Sequence, residues 1–327
     1  MSQDRNNTTA FIEATQYSDF ILENLPDIQL PPGLWRDVSD FQSGTTLNIK
    51  TVGSATIQDV AEGVPLTFNP IDTGNITLGI TDYPGDAWSV SDELRQDGDQ
   101  IDTLLALRGM EATRALAEYD ETRFLATCEA AQTNASVNLV NGRPHRWVAG
   151  GAAATSRNMT MADFIAMKLA FDKANVPQAG RVALVDPIVE ASLNSLSNIV
   201  NVSNNPMFEG IITEGFAMNH KFVRNIFGFD IWTSNFCETA TATEAIDASG
   251  YDLANDTVEV GDKANVFMSV LDDGTKPIMK ADRVMPSVEG WRDPEEREDK
   301  FQTTSRFGFG AQRVDTLGVI WTDEATY

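Results

Sequence analysis

The sequence predicts an α+β protein arranged around one very long helix, and three observations carry that reading. Residues 101–132 contain no proline and repeat apolar side chains at helical spacing. The segment before them alternates apolar and polar residues between glycine turns, and the segment after them mixes short apolar runs with helix caps.

In the long stretch, Ile101, Leu104, Leu105, Ala112, Leu116, Tyr119 and Cys128 recur at intervals of three and four, the period of a helix with one buried face. Ala, Leu, Glu and Arg supply helix propensity along its length. At about 1.5 Å per residue the helix would approach 50 Å, so something large must lie along it.

Residues 1–43 precede the rest as an arm. Phe11, Ala14, Leu22 and Leu25 give a modest apolar stripe, and Pro31 and Pro32 forbid its continuation as a helix. Residues 44–90 then change character. Leu47, Ile49 and Thr51 alternate with Thr46, Asn48 and Lys50, and Ile76, Leu78 and Ile80 alternate with Thr77, Gly79 and Thr81. Leu66 and Phe68 are expected in a strand between. The result is a long hairpin with thin apolar content, and a hairpin alone is marginal in water. It must be covered by its own chain or by a neighbour.

After the helix, Asn141-Gly142 marks a second hairpin turn. Thr160 followed by Asp163 is a helix start with an acidic third residue. Residues 181–185 are a short buried strand, and Asp186-Pro187 places a cap and a first-turn proline before another helix. A strand is expected at 228–235 and another at 264–270. Between 225 and 262 there is no Lys or Arg, and the acidic, small-residue content suggests solvated flaps. Residues 291–300 are charged and expected to be exposed, while 306–310 and 317–321 are expected to pair as two closing strands.

Charge and chemistry narrow the function. Asp and Glu number 48 against 24 Lys and Arg, a net charge of -24, which disfavours electrostatic binding to nucleic acid or anionic membrane. No apolar run approaches the roughly 20 residues that span a bilayer, and no signal sequence is visible, so a cytosolic site of synthesis is expected. Cys128 and Cys237 make neither a disulfide framework nor a four-thiolate zinc site and are expected as core thiols. His145 and His220 stand in no zinc motif, and His145 is expected in a loop. Gly308-Phe-Gly310 lacks the third glycine of a phosphate loop. Asp252, Asn255, Asp256 and Glu259 lack the spacing of a calcium loop, and Glu295-Glu296 belongs to a charged loop. No cofactor and no enzymatic activity are expected.

An arm, a long hairpin, a very long helix, an α/β region and returning strands, with 181–187 and 226–235 as local supports, resemble the major capsid proteins of tailed bacteriophages, which have the Hong Kong 97-type fold. The resemblance implies an N-terminal arm at 1–43, an extended E-loop at 44–90, and a peripheral domain at 91–159 with the spine helix at 101–132. It also implies an axial domain at 160–280 and a return to the peripheral domain at 281–327. The acidic stretch 238–262 matches no part of that pattern.

The implied function is a self-assembling icosahedral head shell enclosing double-stranded DNA without sequence-specific contacts. Leu47, Ile49, Leu66, Phe68, Ile76, Leu78 and Ile80 are expected to form the intersubunit E-loop contacts. The partners implied are the chain itself in hexamers and pentamers, a separate scaffolding protein, a portal and a decoration protein, with no membrane. The location implied is the virion head, after assembly in the host bacterial cytoplasm. Lys50, alone in the hairpin, is a weak candidate for the lysine–asparagine cross-link of some relatives, since a lone exposed lysine ordinarily solubilises a strand edge. Three rivals stay open at this point: an encapsulin-type cargo compartment of the same fold, an acidic hydrolase with paired carboxylates, and a calcium-dependent structural module.

Overall fold

In a computed structural model of the chain, the described residues are 30, 31, 33–39, 44–97 apart from 54, 56, 61, 64 and 66, 101–132, 139–150, 157–195, 225–246 and 257–323. In order they form β1 (Arg36–Asp37), β2 (Thr46–Val52), β3 (Thr73–Gly79), β4 (Gly85–Ser91), α1 (Asp92–Asp97), α2 (Ile101–Ala131), β5 (Leu139–Val140), β6 (Arg143–Pro144) and β7 (Arg146–Val148). There follow α3 (Met161–Lys173), β8 (Arg181–Val185), α4 (Pro187–Ser195), β9 (Asn225–Ile226), β10 (Phe229–Thr233), β11 (Glu244–Ala245) and β12 (Thr257–Val258). The last elements are β13 (Lys263–Ser269), β14 (Ile278–Asp293), β15 (Glu298–Ala311) and β16 (Leu317–Thr322). The long proline-free stretch is thus one helix, α2.

The chain divides into two compact units. The smaller comprises the described residues of Gly85–Ala115 and Val288–Thr303. There β4 runs beside β15, the Trp88 ring stacks on Phe301 at 5.9 Å, and the Arg108 guanidinium lies over Trp88 at 5.7 Å. Arg292 pairs with Asp92 at 2.7 Å and with Asp299 at 3.2 Å, and Arg95 also reaches Asp299. Arg292 holds the Asp92 carboxyl below the usual carboxylate range. These pairs are open to water, where each contributes little.

The larger unit is a three-layer sandwich. Its six-stranded sheet has the order β7-β16-β13-β8-β10-β9, with β8 parallel to β10, β7 parallel to β16, and β13 antiparallel to both of its neighbours. Period-two alternation sends side chains to opposite faces. Ala183, Val185 and Phe267 face Phe164, Met167 and Phe171 of α3 and Val189 and Leu193 of α4. Val182, Leu184, Val266 and Met268 face Phe124, Leu125 and Cys128 of α2. Strands covered on both faces are apolar throughout, which explains the RVALV and LGVIWT runs of β8 and β16.

The local signals act as expected at several caps. The Thr160 N–H and hydroxyl both donate to Asp163 Oδ2, at 2.8 and 2.7 Å, closing the N-terminus of α3. Asp186 Oδ2 accepts the Ile188 N–H at 3.0 Å at the start of α4. Asn141 and Gly142 both take positive φ, 49° and 75°, as a two-residue turn between β5 and β6 requires.

Two expectations are corrected, and two gain detail. The segments at 306–310 and 317–321 do not pair with each other, because β15 lies between β14 and β4 while β16 lies between β7 and β13. A 3-10 turn, Val314–Thr316, carries the chain from one sheet to the other. Residues 291–300 are largely exposed, as expected, and form the end of a long β14–β15 hairpin. The acidic stretch after 225 is only partly solvated, since Cys237, Ala240, Ile246 and Val258 are buried, the last three beside Val319 and Trp321. His145 stands at a bend between β6 and β7, as the loop reading expected, and is fully buried there, its Nδ1 3.1 Å from the Leu317 carbonyl oxygen and its ring stacked on Phe171 at 5.6 Å. Burial pushes its pKa down, so it sits neutral in the core. The apolar piece at 11–25, His220, and Asp252, Asn255 and Asp256 lie outside the described residues.

Candidate assembly interface

The site begins with the β2–β3 hairpin. The strands are antiparallel in the register Leu47↔Leu78, Ile49↔Ile76 and Lys50↔Asn75, so Leu47, Ile49, Ile76 and Leu78 share one face. That face is buried only at the root. Leu78 and Ile80 are buried in the chain's own core with Met279 and Ala281, and Leu47, Ile49 and Ile76 are half-buried beside them.

Two glycines of β15 make the root possible. A Cβ at Gly308 would lie 2.2 Å from the Gly79 carbonyl oxygen and 2.9 Å from Ile80 Cα, and one at Gly310 would lie 2.7 Å from Leu78 Cδ1. At position 308 only a residue without a side chain lets β15 approach the β3 backbone this closely, whereas the contact at 310 is with the Leu78 side chain. The Gly308-Phe-Gly310 pattern therefore serves close packing of strands.

Beyond the root the described residues of the hairpin form no core. Val52, Ile57, Val60, Phe68 and Ile71 are exposed, Phe68 at 97% of its surface. The strand expected around Leu66 and Phe68 is not formed at Phe68, which lies in coil, and Leu66 is outside the described residues. The tip is nonetheless ordered by its own contacts. The Gln58 amide donates to the Thr67 carbonyl oxygen at 2.8 Å and accepts the Thr67 N–H at 3.1 Å, imitating one rung of a ladder. The Gly53 N–H donates to the Asp72 carbonyl oxygen at 2.8 Å. The apolar surface is thus held out on a pre-shaped frame.

The body beneath is fastened by a buried lysine. Lys280 Nζ pairs with Asp120 of α2 at 2.5 Å and Asp282 at 3.1 Å, and lies over the rings of Trp35, Phe307 and Phe309 at 4.9–5.5 Å. Burial raises the Asp120 carboxyl, and Lys280 pulls it back. The segment before β2 is held here as well, since the Leu30 N–H donates to Glu121 Oε2 at 3.0 Å and β1 runs parallel to β14. Arg123 pairs with Asp82 at 2.8 Å just after the hairpin.

Sequence reasoning brought Leu47, Ile49, Ile76, Leu78 and Ile80 to one place, but the buried pair Leu78 and Ile80 is used within the chain. It missed Val52, Ile57, Val60 and Ile71, which lie where alternation stops and periodicity gives no signal. Lys50 is exposed on β2, opposite Asn75 of the same hairpin.

Among the described residues no group of His, Cys, Asp and Glu is arranged to hold a metal ion, and no helix is long and apolar enough to cross a membrane. Burial pushes the Cys128 thiol up and the Cys237 thiol up to about 12, so neither is a thiolate at neutral pH.

The hairpin is thus rooted in the body of its chain and presents exposed apolar side chains beyond that root. Residues 75–322 match the phage capsid protein family, and the chain belongs to that family. No curated protein matches it in sequence. The fold is similar to the capsid of Cyanophage P-SCSP1u, at 14% identity and a TM-score of 0.71 over 95% of this chain and 93% of that one. It is similar to the mature capsid of bacteriophage PhiM1, at 15% identity and 0.71 over 97% and 93%. It is also similar to the capsid of Cyanophage Pam1, at 13% identity and 0.67 over 98% of each chain. The chain is a structural major capsid protein with the Hong Kong 97-type fold, part of a multi-subunit head shell in the virion.

Proposed function

We propose that the β2–β3 hairpin is the E-loop that joins neighbouring subunits into hexamers and pentamers of an icosahedral shell around double-stranded DNA. The observation that carries this is the exposed apolar row Val52, Ile57, Val60, Phe68 and Ile71 on a hairpin whose root is buried. Burying one such side chain contributes about 1.5–3 kcal/mol, and a ring of like contacts multiplies it. Leu47, Ile49 and Ile76 are half-buried at the root on the other face of the hairpin from Val52, and Leu66 is included from its sequence position.

In this reading 1–43 is the N-terminal arm, 91–159 and 281–327 form the peripheral domain, and 160–280 forms the axial domain. The shell assembles in the host cytoplasm with a scaffolding protein, a portal and a decoration protein, and the subunit has no enzymatic role and no cofactor. The net charge of -24 supports an inner wall that repels packaged DNA. Lys50 remains a weak candidate for a covalent link to an asparagine of another subunit.

The test is deletion of residues 56–73 with a short glycine-serine replacement, followed by light scattering and negative-stain electron microscopy. The expected outcome is a folded subunit, or loose capsomers, that no longer closes into shells. Shells of normal size from the deleted chain would overturn the role of the hairpin.

A further inference from the structure

Lys280 is a buried lysine held against two carboxylates and ringed by aromatic side chains, a setting in which an amine and a carboxyl can react. Its Nζ lies 2.5 Å from Asp120 Oδ2 and 3.1 Å from Asp282 Oδ1, with the rings of Trp35, Phe307 and Phe309 centred within 5.5 Å. The second carboxyl oxygen of Asp120, Oδ1, is buried without a hydrogen-bond partner. The backbone around the group is pinned: the Val38 N–H donates to the Lys280 carbonyl oxygen at 2.9 Å, and the Asp282 N–H donates to Ser39 Oγ at 2.9 Å. The charged groups that act on Asp120 are Lys280 and Asp282 of β14 and Asp82 after the hairpin, the last already engaged by Arg123 of α2. Other ion pairs of the chain lack this combination. Arg146 and Arg181 are buried, but a guanidinium stays protonated and is no nucleophile. Lys276 and Lys300 reach acids that open to water, Asp273 at 68% and Glu296 at 63% exposure.

We propose that Lys280 and Asp120 condense into an amide within one chain, a covalent tie between α2 and β14, with Asp282 moving the proton. The newly folded chain holds the two as an ion pair. The Lys280 ammonium gives a proton to Asp120 Oδ2, leaving a neutral amine against a neutral carboxyl. Burial favours that exchange, because a shielded site penalises two charges more than two neutral groups, and burial already raises the Asp120 carboxyl. The amine lone pair then attacks Asp120 Cγ and the C–N bond forms. Asp282 takes a second proton from Nζ and passes it to the Oδ2 hydroxyl, the C–O bond breaks, and one water leaves, with Oδ1 as the amide oxygen. An ammonium and a carboxylate thus become an amide and a water, and no oxidant or co-reactant is needed. Holding both reactants in contact replaces a bimolecular encounter, and the Asp120 side chain, 23% exposed, gives the water a way out. The step occurs once per chain and is a modification without turnover. The tie joins positions 160 residues apart, so it also removes a long loop's freedom from the unfolded chain.

The experiment follows the full-length chain by intact mass spectrometry and tryptic peptide mapping, sampled over days near neutral pH. The expected result is a growing fraction lighter by one water, together with a branched peptide. That peptide joins residues 115–123, which carry Asp120, to residues 264–283, in which Lys280 is no longer cut and Lys276 precedes a proline. Lys280→Arg keeps the cation without the nucleophilic amine and should keep the full mass and give no branched peptide. Asp282→Asn keeps both reactants without the proton acceptor and should slow the linkage about a hundredfold, the lower end of what a positioned acid–base group contributes. Absence of the branched peptide from the parent chain overturns the proposal and leaves a plain ion pair. A one-water loss without that peptide, such as cyclisation at Asp273-Gly274, overturns it as well. Asp282→Asn chains that link as fast as the parent overturn the role of Asp282. The parent chain alone decides whether the bond forms, so a variant that does not fold leaves the test intact. The bond is read in the single subunit, so a missing bond and failed shell closure are separate results.

Discussion

Replacing Gly308 by alanine tests whether the hairpin root depends on contact between backbones. The added Cβ would fall 2.2 Å from the Gly79 carbonyl oxygen and 2.9 Å from Ile80 Cα. Real Cβ atoms essentially never come within 3.0 Å of such neighbours, and neither neighbour can rotate away. Either β15 or the end of β3 must move, and with it Leu78 and Ile80 leave their sites against Met279 and Ala281. Forced repacking of this kind costs about 1–3 kcal/mol, and backbone opposition puts Gly308→Ala at the upper end. Gly310→Ala is the control. Its Cβ meets only the Leu78 Cδ1 methyl, at 2.7 Å, which can change rotamer, so about 1 kcal/mol or less is expected. Urea unfolding of the two variants, with sedimentation to read shell closure, measures both consequences. Equal stability of the two, or Gly308→Ala shells indistinguishable from the parent, would refute the reasoning.

Two other perturbations follow from buried charge. His145 is held neutral by burial, its folded pKa below the unfolded value of about 6.5. The unfolded chain therefore binds a proton that the folded chain refuses, and stability falls as pH drops below about 6.5, by at most about 1.4 kcal/mol per pH unit from this group. His145→Gln should flatten that part of the stability profile between pH 7 and 5 whatever it does to stability at pH 7, and identical slopes would count against a neutral buried imidazole. Lys280→Ala leaves Asp120 and Asp282 without their cation and should cost about 3–5 kcal/mol at pH 7. Asp120, already raised by burial, would rise further once Lys280 is gone, so part of the loss should return as the pH is lowered and it takes up a proton; a loss independent of pH would contradict the ion-pair account.

The sequence was most legible where one physical signal dominated. A proline-free stretch with helical spacing is α2, and strict alternation in 46–52 and 73–79 is the hairpin with its register. Buried strands and caps were equally plain at 181–187. Legibility failed where two signals mixed. β14 carries Pro286 and Gly290, and its residues from Val284 to Arg292 are exposed on both faces, so neither an apolar run nor an alternation marks it. β16 shows its apolar run, but which strand it joins depends on the turn before it, which composition does not encode. The bend at His145 was legible from its flanking Pro144 and Arg146, but its burial was not, since Arg146 is itself buried against Glu129 and Glu244. The hairpin tip was the hardest part, because Val52, Ile57, Val60 and Ile71 follow no secondary-structure period. Their common property is exposure, which only the folded chain reveals.

The Gln58–Thr67 rung at the hairpin tip bears on how a shell corrects its mistakes. A tip that had to order itself on docking would lose conformational entropy at every contact, and each contact would then need many favourable interactions to hold. A tip already closed on itself makes that loss during folding, before any neighbour is met. Weak and short-lived contacts then suffice, so a subunit seated in the wrong place can leave before the next arrives. Closed containers made of many copies need that reversibility, because a single misplaced copy fixed early would leave the wall unable to meet itself.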